Sequence, residues 1–584
     1  METATPRTGR ILHPVLAAAL IVALAVIPYA NTFHVPFLFD DLRAIVENAD
    51  IKDPARLWPP SGNRWFGYLT FALNYAAGGI EPAGYHAVNL AIHAAGGLLV
   101  LWLVLLILRT PFFRRPEAVV AERTAVAIAL LAAALFVSHP VQTQAVTYIV
   151  QRFASLAAML YLLSVCCFLQ ARLAPEGTGS RASRAGWYVL SLLAGLLAMK
   201  TKETAFTLPV IVILADLLCF PPAEEQRSRR AAFLAPYVLL LLVIPLGLTS
   251  AGDGELSFTA SATSEISRAD YLATQFRVIV IYLRLLAWPA GQMLDYDLPV
   301  SRSFGEPAVL LSFAGLLVLF GLGCWLIVRA GRKASAGLPG LAGFGILWFF
   351  ITLAVESSVI PIADVIFEHR LYLPSAGAFI AAAAGVVMAG SRLRKRWRHA
   401  FEAVLAVVLA AIIALQAATF LRNRVWQSEV GLWEDVLAKN PLHAKAQAII
   451  GLKYLQRGGV DEAIRRFRRA IELKPGYAEA HVSLGNAYLT KGWLDEGYRE
   501  YQTALAIGDL DHHDMAQLTM NIGTYYLRKR QPNKAIQSYR MALGMMPGDA
   551  MIHHNLGLAY EMRGMRREAE AEHRRAHQLN PERY

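Results

Sequence analysis

Apolar residues in this chain come in blocks. Between about residue 11 and residue 421 they fill runs of about 17–22 positions separated by short polar stretches, and beyond 421 the runs stop. A run of that length is what an α-helix needs to cross a bilayer. The pattern predicts spans near 11–30, 87–108, 124–138, 153–171, 186–199, 204–220, 231–249, 307–328, 340–355, 371–390 and 400–421. A twelfth apolar run, 272–288, carries Arg277 and Arg284 and reads as a helix lying at the interface. The first block follows Arg7 and Arg10, as a signal peptide would, but it is long and lacks a small-residue cleavage site, so an uncleaved first span is expected.

Charge then chooses an orientation. With eleven spans and a cytoplasmic N-terminus, the inner segments hold 20 Lys/Arg in 68 residues and the outer loops 12 in 146. A span at 272–288 would move "RAGRK" and "SRLRKRWR" outside, against the positive-inside bias. Everything after the last span is therefore expected outside. The chain is 55% hydrophobic and 17% charged, and much of its +12 net charge lies in short loops between spans. That distribution argues against a nucleic-acid partner. Cys166, Cys167, Cys219 and Cys324 all fall in predicted spans, which leaves no loop disulfide and no CxxC metal site.

After 421 the periodicity changes. Gly451, Gly485, Gly523 and Gly557 stand 34, 38 and 34 residues apart. Tyr454, Ala463, Phe467, Ala470 and Pro475 follow the first at spacings that the later copies repeat, with "DLDHHD" carrying four extra residues. A 34-residue period with small and aromatic residues at fixed places is the tetratricopeptide pattern, stacked helix pairs whose groove binds protein. The division expected is a membrane domain over 1–421 and a repeat domain over 422–584.

Every unusual polar cluster falls in the outer set. Asp40 and Asp41 stand in "FLFDDLRAIVENADI", Arg64 in "NRWFGYLTFALNY" and His86 in "GYHAVNLAIH". Arg152 closes "HPVQTQAVTYIVQR", Lys200, Lys202 and Glu203 form the turn "KTKE", and Glu368, His369 and Arg370 open "EHRLYLPSAG". Alone, an acidic pair in a polar loop reads as solvated surface, and cations near span ends read as snorkelling side chains. On one bilayer face, though, these clusters suit group transfer from a lipid-linked phosphate donor to a hydroxyl. Arg and Lys bind the phosphate, and a carboxylate takes the proton from an attacking hydroxyl. The pair could also ligate a divalent cation, but two neighbouring carboxylates supply fewer oxygens than such a site takes, so no metal or other cofactor is assigned. No HExxH, GxxxxGK[ST] or GxSxG element is present.

Taken in order, these motifs and the repeats that follow them resemble the transmembrane and tetratricopeptide-containing O-mannosyltransferases. The resemblance implies an all-α, polytopic GT-C-type membrane domain of about eleven spans followed by a tetratricopeptide solenoid. It implies a polyprenyl-phosphate sugar as donor, mannose or another hexose, and Ser/Thr hydroxyls of proteins held by the repeat groove as acceptor. The family's acidic pair maps onto Asp40 and Asp41, one of them the general base. The chain departs from the family pattern where Phe153 follows Arg152 and where His369 separates Glu368 from Arg370. Its Ala/Arg-rich composition suggests a bacterial member, in the inner membrane with the repeats periplasmic. The competing readings are transfer to a lipid-linked envelope glycan and a non-catalytic scaffold.

Overall fold

The computed structural model describes residues 13–58, 60–115, 120–175, 178–220, 227–250, 266–332, 337–358, 360–362 and 364–584. Arg7, Arg10 and parts of the expected loops, 221–226 and 251–265 among them, lie outside the described residues. The described chain is all-α, as expected, and divides into two compact units between Glu429 and Val430.

Among the described residues the first unit holds fourteen α-helices of eight residues or more: α1 (Pro14–Val26), α2 (Trp65–Gly78), α3 (Pro82–Arg109), α4 (Glu122–Ser138), α5 (Arg152–Leu173), α6 (Thr178–Met199), α7 (Leu208–Cys219), α8 (Arg227–Leu240), α9 (Val243–Ser250), α10 (Arg268–Ala287), α11 (Pro307–Arg332), α12 (Gly337–Leu353), α13 (Tyr372–Arg394) and α14 (Ala400–Val425). Among the described residues, seven segments are long and apolar enough to cross a membrane: Pro82–Arg109, Ile149–Leu173, Arg181–Met199, Ser228–Gly247, Pro307–Arg332, Glu368–Arg394 and Glu402–Val425. Helix α4 and the short helical stretch after it pass the same test together but are bent by 51° at the break between Ser138 and Pro140. Pro14–Tyr29 and Gly337–Leu353 are shorter apolar helices. The run expected at 204–220 becomes the 12-residue α7, because Glu203–Thr207 winds as a tighter turn before it. Helix α10 is not among the crossing candidates; Ser267 caps its start by accepting the Asp270 N–H.

Burial separates these helices by role. Helix α5 is enclosed by α3, α6 and α7 and shows solvent almost nothing, whereas α11 and α14 present Leu311, Val318, Val407 and Ile413 outward. In water such faces would aggregate; facing lipid they need no cover. Helices α12 and α13 cross with Gly345 against the Gly377 carbonyl and Gly377 against Trp348, so small residues bring the two backbones into contact.

The second unit starts within α15 (Glu429–Lys439) and continues as four helix pairs. These are α16 (Ala444–Gln456) with α17 (Val460–Leu473), α18 (Ala478–Lys491) with α19 (Leu494–Ile507), α20 (His512–Arg528) with α21 (Pro532–Met545), and α22 (Ala550–Arg563) with α23 (Arg566–Leu579). In each pair the aligned glycine faces the residue sixteen positions on: Gly451 Phe467, Gly485 Tyr501, Gly523 Tyr539 and Gly557 His573. The four extra residues before the third copy mostly lengthen its first helix, which has 17 residues where α18 has 14. Asp511 caps it by accepting the Asp514 N–H at 2.7 Å.

Glycine is a packing requirement here. A Cβ at Gly485 would stand 3.0 Å from the Gly497 carbonyl as well as against the Tyr501 ring, so no single rotamer change relieves it. Gly485→Ala is expected to destabilise the repeat domain by about 1–3 kcal/mol, the usual cost of overpacking. Gly476→Ala, with nothing within 4 Å, is the matched control and should change stability little. Denaturant unfolding followed by circular dichroism compares the two.

Candidate active site

The two adjacent carboxylates have opposite environments. A tight turn places Leu38 to Asp41 so that the Asp41 N–H donates to the Leu38 carbonyl at 2.9 Å. Asp41 points inward and is 1% exposed. One of its oxygens accepts the Leu38 N–H at 2.9 Å and the other the Val150 N–H at 2.7 Å. Asp40 points outward and is exposed; its backbone N–H donates to the Tyr148 hydroxyl at 2.9 Å. Between Leu38 and Asp40, Phe39 sits at φ +47°, a backbone region that aromatic side chains rarely adopt. Burial pushes the Asp41 carboxyl up from 3.8 to about 7, while its two backbone donors favour the charged form.

What Asp41 grips is the second outer loop, residues 139–151. It has only short helical turns, and residues 139–150 are buried throughout. Side chains from distant parts of the chain meet its polar groups. Asn89 of α3 donates to the Val146 and Ile149 carbonyls, both at 3.2 Å, and Gln292 to the Pro140 carbonyl at 3.0 Å. Gln142 donates to Ser375 at 2.9 Å, Gln144 accepts the His369 backbone N–H at 2.8 Å, and Thr147 donates to Asn423 at 2.7 Å.

Several residues singled out in the sequence belong to this bracing. The Arg152 guanidinium is fully buried and donates to Asn89 at 2.6 Å, the Tyr85 carbonyl at 3.0 Å and the Thr70 carbonyl at 3.2 Å, with Phe71 4.4 Å below it. His86 donates to the Val35 carbonyl at 2.9 Å, which fixes the strand of chain leading to Asp40. Glu368 accepts from Gln292 and the Tyr296 hydroxyl, both at 2.6 Å, and from the Met293 N–H at 3.0 Å. Lys200 donates to the Gly62 carbonyl at 3.2 Å.

A second set gathers around a cavity lined by Lys202, Thr204, Thr352, Glu356, His369, Arg370 and Tyr372. Lys202 pairs with Glu356 at 2.7 Å, both side chains about 90% buried. Arg370 donates to the Asp364 and Val365 carbonyls at 2.7 and 3.1 Å, and His369 stacks on Phe367. Arg64 reaches Glu203 at 3.5 Å and lies over the Phe153 ring, beside the bracing Arg152. Sequence reading passed over Glu356, Gln292, Tyr296 and Tyr148. A lone Glu opening the last outer loop of a chain poor in charge was the signal for the first; nothing in the pattern marked the others.

The family described as TPR repeat matches residues 451–492. Protein O-mannosyl-transferase TMTC4 of Homo sapiens is 27% identical over 508 residues, covering 78% of this chain and 66% of that protein. Protein O-mannosyl-transferase Tmtc3 of Drosophila melanogaster is 26% identical over 524 residues, covering 78% of this chain and 54% of that one. The chain is similar to these proteins over most of its length. It spans at most about two thirds of their length. Among solved structures, the Archaeoglobus fulgidus oligosaccharyltransferase in its apo form is 14% identical with a TM-score of 0.40, covering 73% of this chain and 58% of that one, a likeness too slight to carry an argument. Relatives and apolar helices together make this a multi-pass membrane protein.

The geometry gives Asp41 a testable signature. An Asn there keeps one carbonyl for two N–H donors and turns its amide toward the other, an unsatisfied contact worth about 1–3 kcal/mol. Because the folded carboxyl titrates at about 7 and the unfolded one at 3.8, its contribution to stability is full below about pH 4 and is lost as pH rises through about 7. Asp41→Asn is therefore expected to lower the melting temperature in nanodiscs, with the gap to wild type widest at acid pH and narrowing toward pH 8. A gap that widens with pH contradicts the assignment.

Proposed function

We propose that this protein moves a hexose, mannose or a relative, from a polyprenyl-phosphate donor to Ser/Thr hydroxyls of proteins on the outer face of a bacterial inner membrane. The observation that carries the reading is the division of the acidic pair. Asp41 spends both oxygens on backbone donors, and Asp40 keeps an exposed carboxylate beside them. A general base needs an accessible oxygen on a fixed backbone; Asp40 is exposed, and the Tyr148 hydroxyl meets both its backbone N–H and its side chain.

In this reading the acceptor oxygen attacks the anomeric carbon while Asp40 takes its proton. The bond from that carbon to the phosphate oxygen breaks, polyprenyl phosphate leaves with the electron pair, and one displacement inverts the anomeric centre. Lys202 and Arg370, with Arg64 beside them, supply the cationic wall for the phosphate. Glu356 holds Lys202 in place until a phosphate competes for it. The names of the relatives and the repeat domain, a fold that binds protein segments, support a protein acceptor. The division into a membrane domain over 1–421 and an outer repeat domain over 422–584 belongs to the same proposal.

Asp40→Asn is expected to lower transfer from radiolabelled polyprenyl-phosphate mannose or glucose into protein by roughly 10²- to 10⁴-fold, the usual contribution of a positioned base. Its elution profile and melting temperature should match wild type, since no brace is lost. Label arriving in a lipid-linked glycan in place of protein moves the acceptor assignment. Full transfer by Asp40→Asn removes the base assignment.

A further inference from the structure

Tyr148 stands where the base and the end of the last membrane helix meet. Its ring lies between Phe39, edge-on at 6.2 Å, and Trp426, tilted by 31° at 5.5 Å. Its hydroxyl accepts the Asp40 backbone N–H. Tyr148 is 5% exposed and Trp426 1%. The residue it meets edge-on, Phe39, is the one held at φ +47° just before Asp40, and such a conformation persists only where its surroundings enforce it.

Trp426 is itself fixed. Three residues before it, Asn423 accepts from Thr147 at 2.7 Å and donates to the Pro28 carbonyl at 2.8 Å, so the end of α14 is tied to the residue beside Tyr148. The Trp426 indole N–H is buried without a hydrogen-bond partner among the described residues. A buried orphan donor is a cost, and the ring contact is what offsets it at this position.

We propose that Tyr148 is a positioning residue for Asp40 and that Trp426 is the support that holds Tyr148. The hydroxyl fixes the Asp40 backbone, the ring packs against the strained Phe39 turn, and the indole stops the phenol from tilting away. The end of α14, four residues before the repeat unit begins at Val430, thereby sets the geometry of the base. This rests on the reading of Asp40 as the base, and the test separates the two.

The full chain in nanodiscs is compared as wild type, Tyr148→Phe, Trp426→Ala, Trp426→Phe and Asp40→Asn. Hydrogen exchange of peptides covering residues 37–42 reads positioning directly, without any substrate. Tyr148→Phe and Trp426→Ala should speed exchange there, and Trp426→Phe, which keeps a ring and drops the orphan N–H, should not. With polyprenyl-phosphate mannose as donor, the first two should lose kcat by about tenfold at unchanged donor KM, the size of one lost hydrogen bond to a working group. Trp426→Phe should stay near wild type. Unchanged exchange in Tyr148→Phe overturns the proposal, as does Trp426→Phe behaving like Trp426→Ala. Full transfer by Asp40→Asn sinks the base reading instead, and where no donor turns over the exchange result alone decides positioning.

Discussion

The structure depends on satisfying one stretch of irregular backbone buried inside a membrane domain. Residues 139–150 run through the interior with only short helical turns, so their N–H and C=O groups cannot all pair locally. In that setting an unpaired backbone group costs several kcal/mol. Side chains of Asp41, Asn89 and Gln292 pair with that backbone, and Asn423, Ser375 and the His369 N–H pair with its side chains. They come from five separate parts of the chain, so the loop that needs partners ties together the outer segments that carry Asp41, Gln292 and His369.

This constraint sorts the charges. Arg152 and Glu368 are the most strongly bonded ionic side chains near the loop, and both are spent holding it and its neighbours together. Lys202, Glu356 and Arg370 lie around a cavity, with Lys202 paired to Glu356. The acidic pair is divided in the same way. One carboxylate is consumed by structure so that the next residue can present the other to the outside. Two neighbouring residues of one type thus take different roles because only one of them faces backbone donors.

Much of this was legible in the sequence, and the reasons for the remainder are physical. Blocks of apolar residues near the bilayer's thickness declare themselves, and the repeating glycines declare the helix pairs because only glycine fits beneath Phe467, Tyr501 and Tyr539. The motif order carried the family resemblance. What the pattern could not separate was a bracing charge from one beside a cavity, because Arg152 and Arg370 look alike in sequence and both donate to backbone carbonyls, and it is the cavity next to Arg370 that sets it apart. Tyr148 and Glu356 carried no periodic or spacing signal, since their roles come from contacts made across more than a hundred residues. The stretch at 204–220 read as a full span because its composition is apolar; the tight turn at Glu203–Thr207 shortens the helix, and composition does not report turns.

The most direct test is amide hydrogen exchange of the intact protein in nanodiscs, read on peptides covering residues 139–151. If the loop is the buried frame, those amides should exchange as slowly as the interior of α5, and far more slowly than the exposed residues 52–56. Exchange of 139–151 at the rate of an open loop would contradict the account. It would leave Asp41 without a fixed partner and Asp40 without a reason to be held where it is.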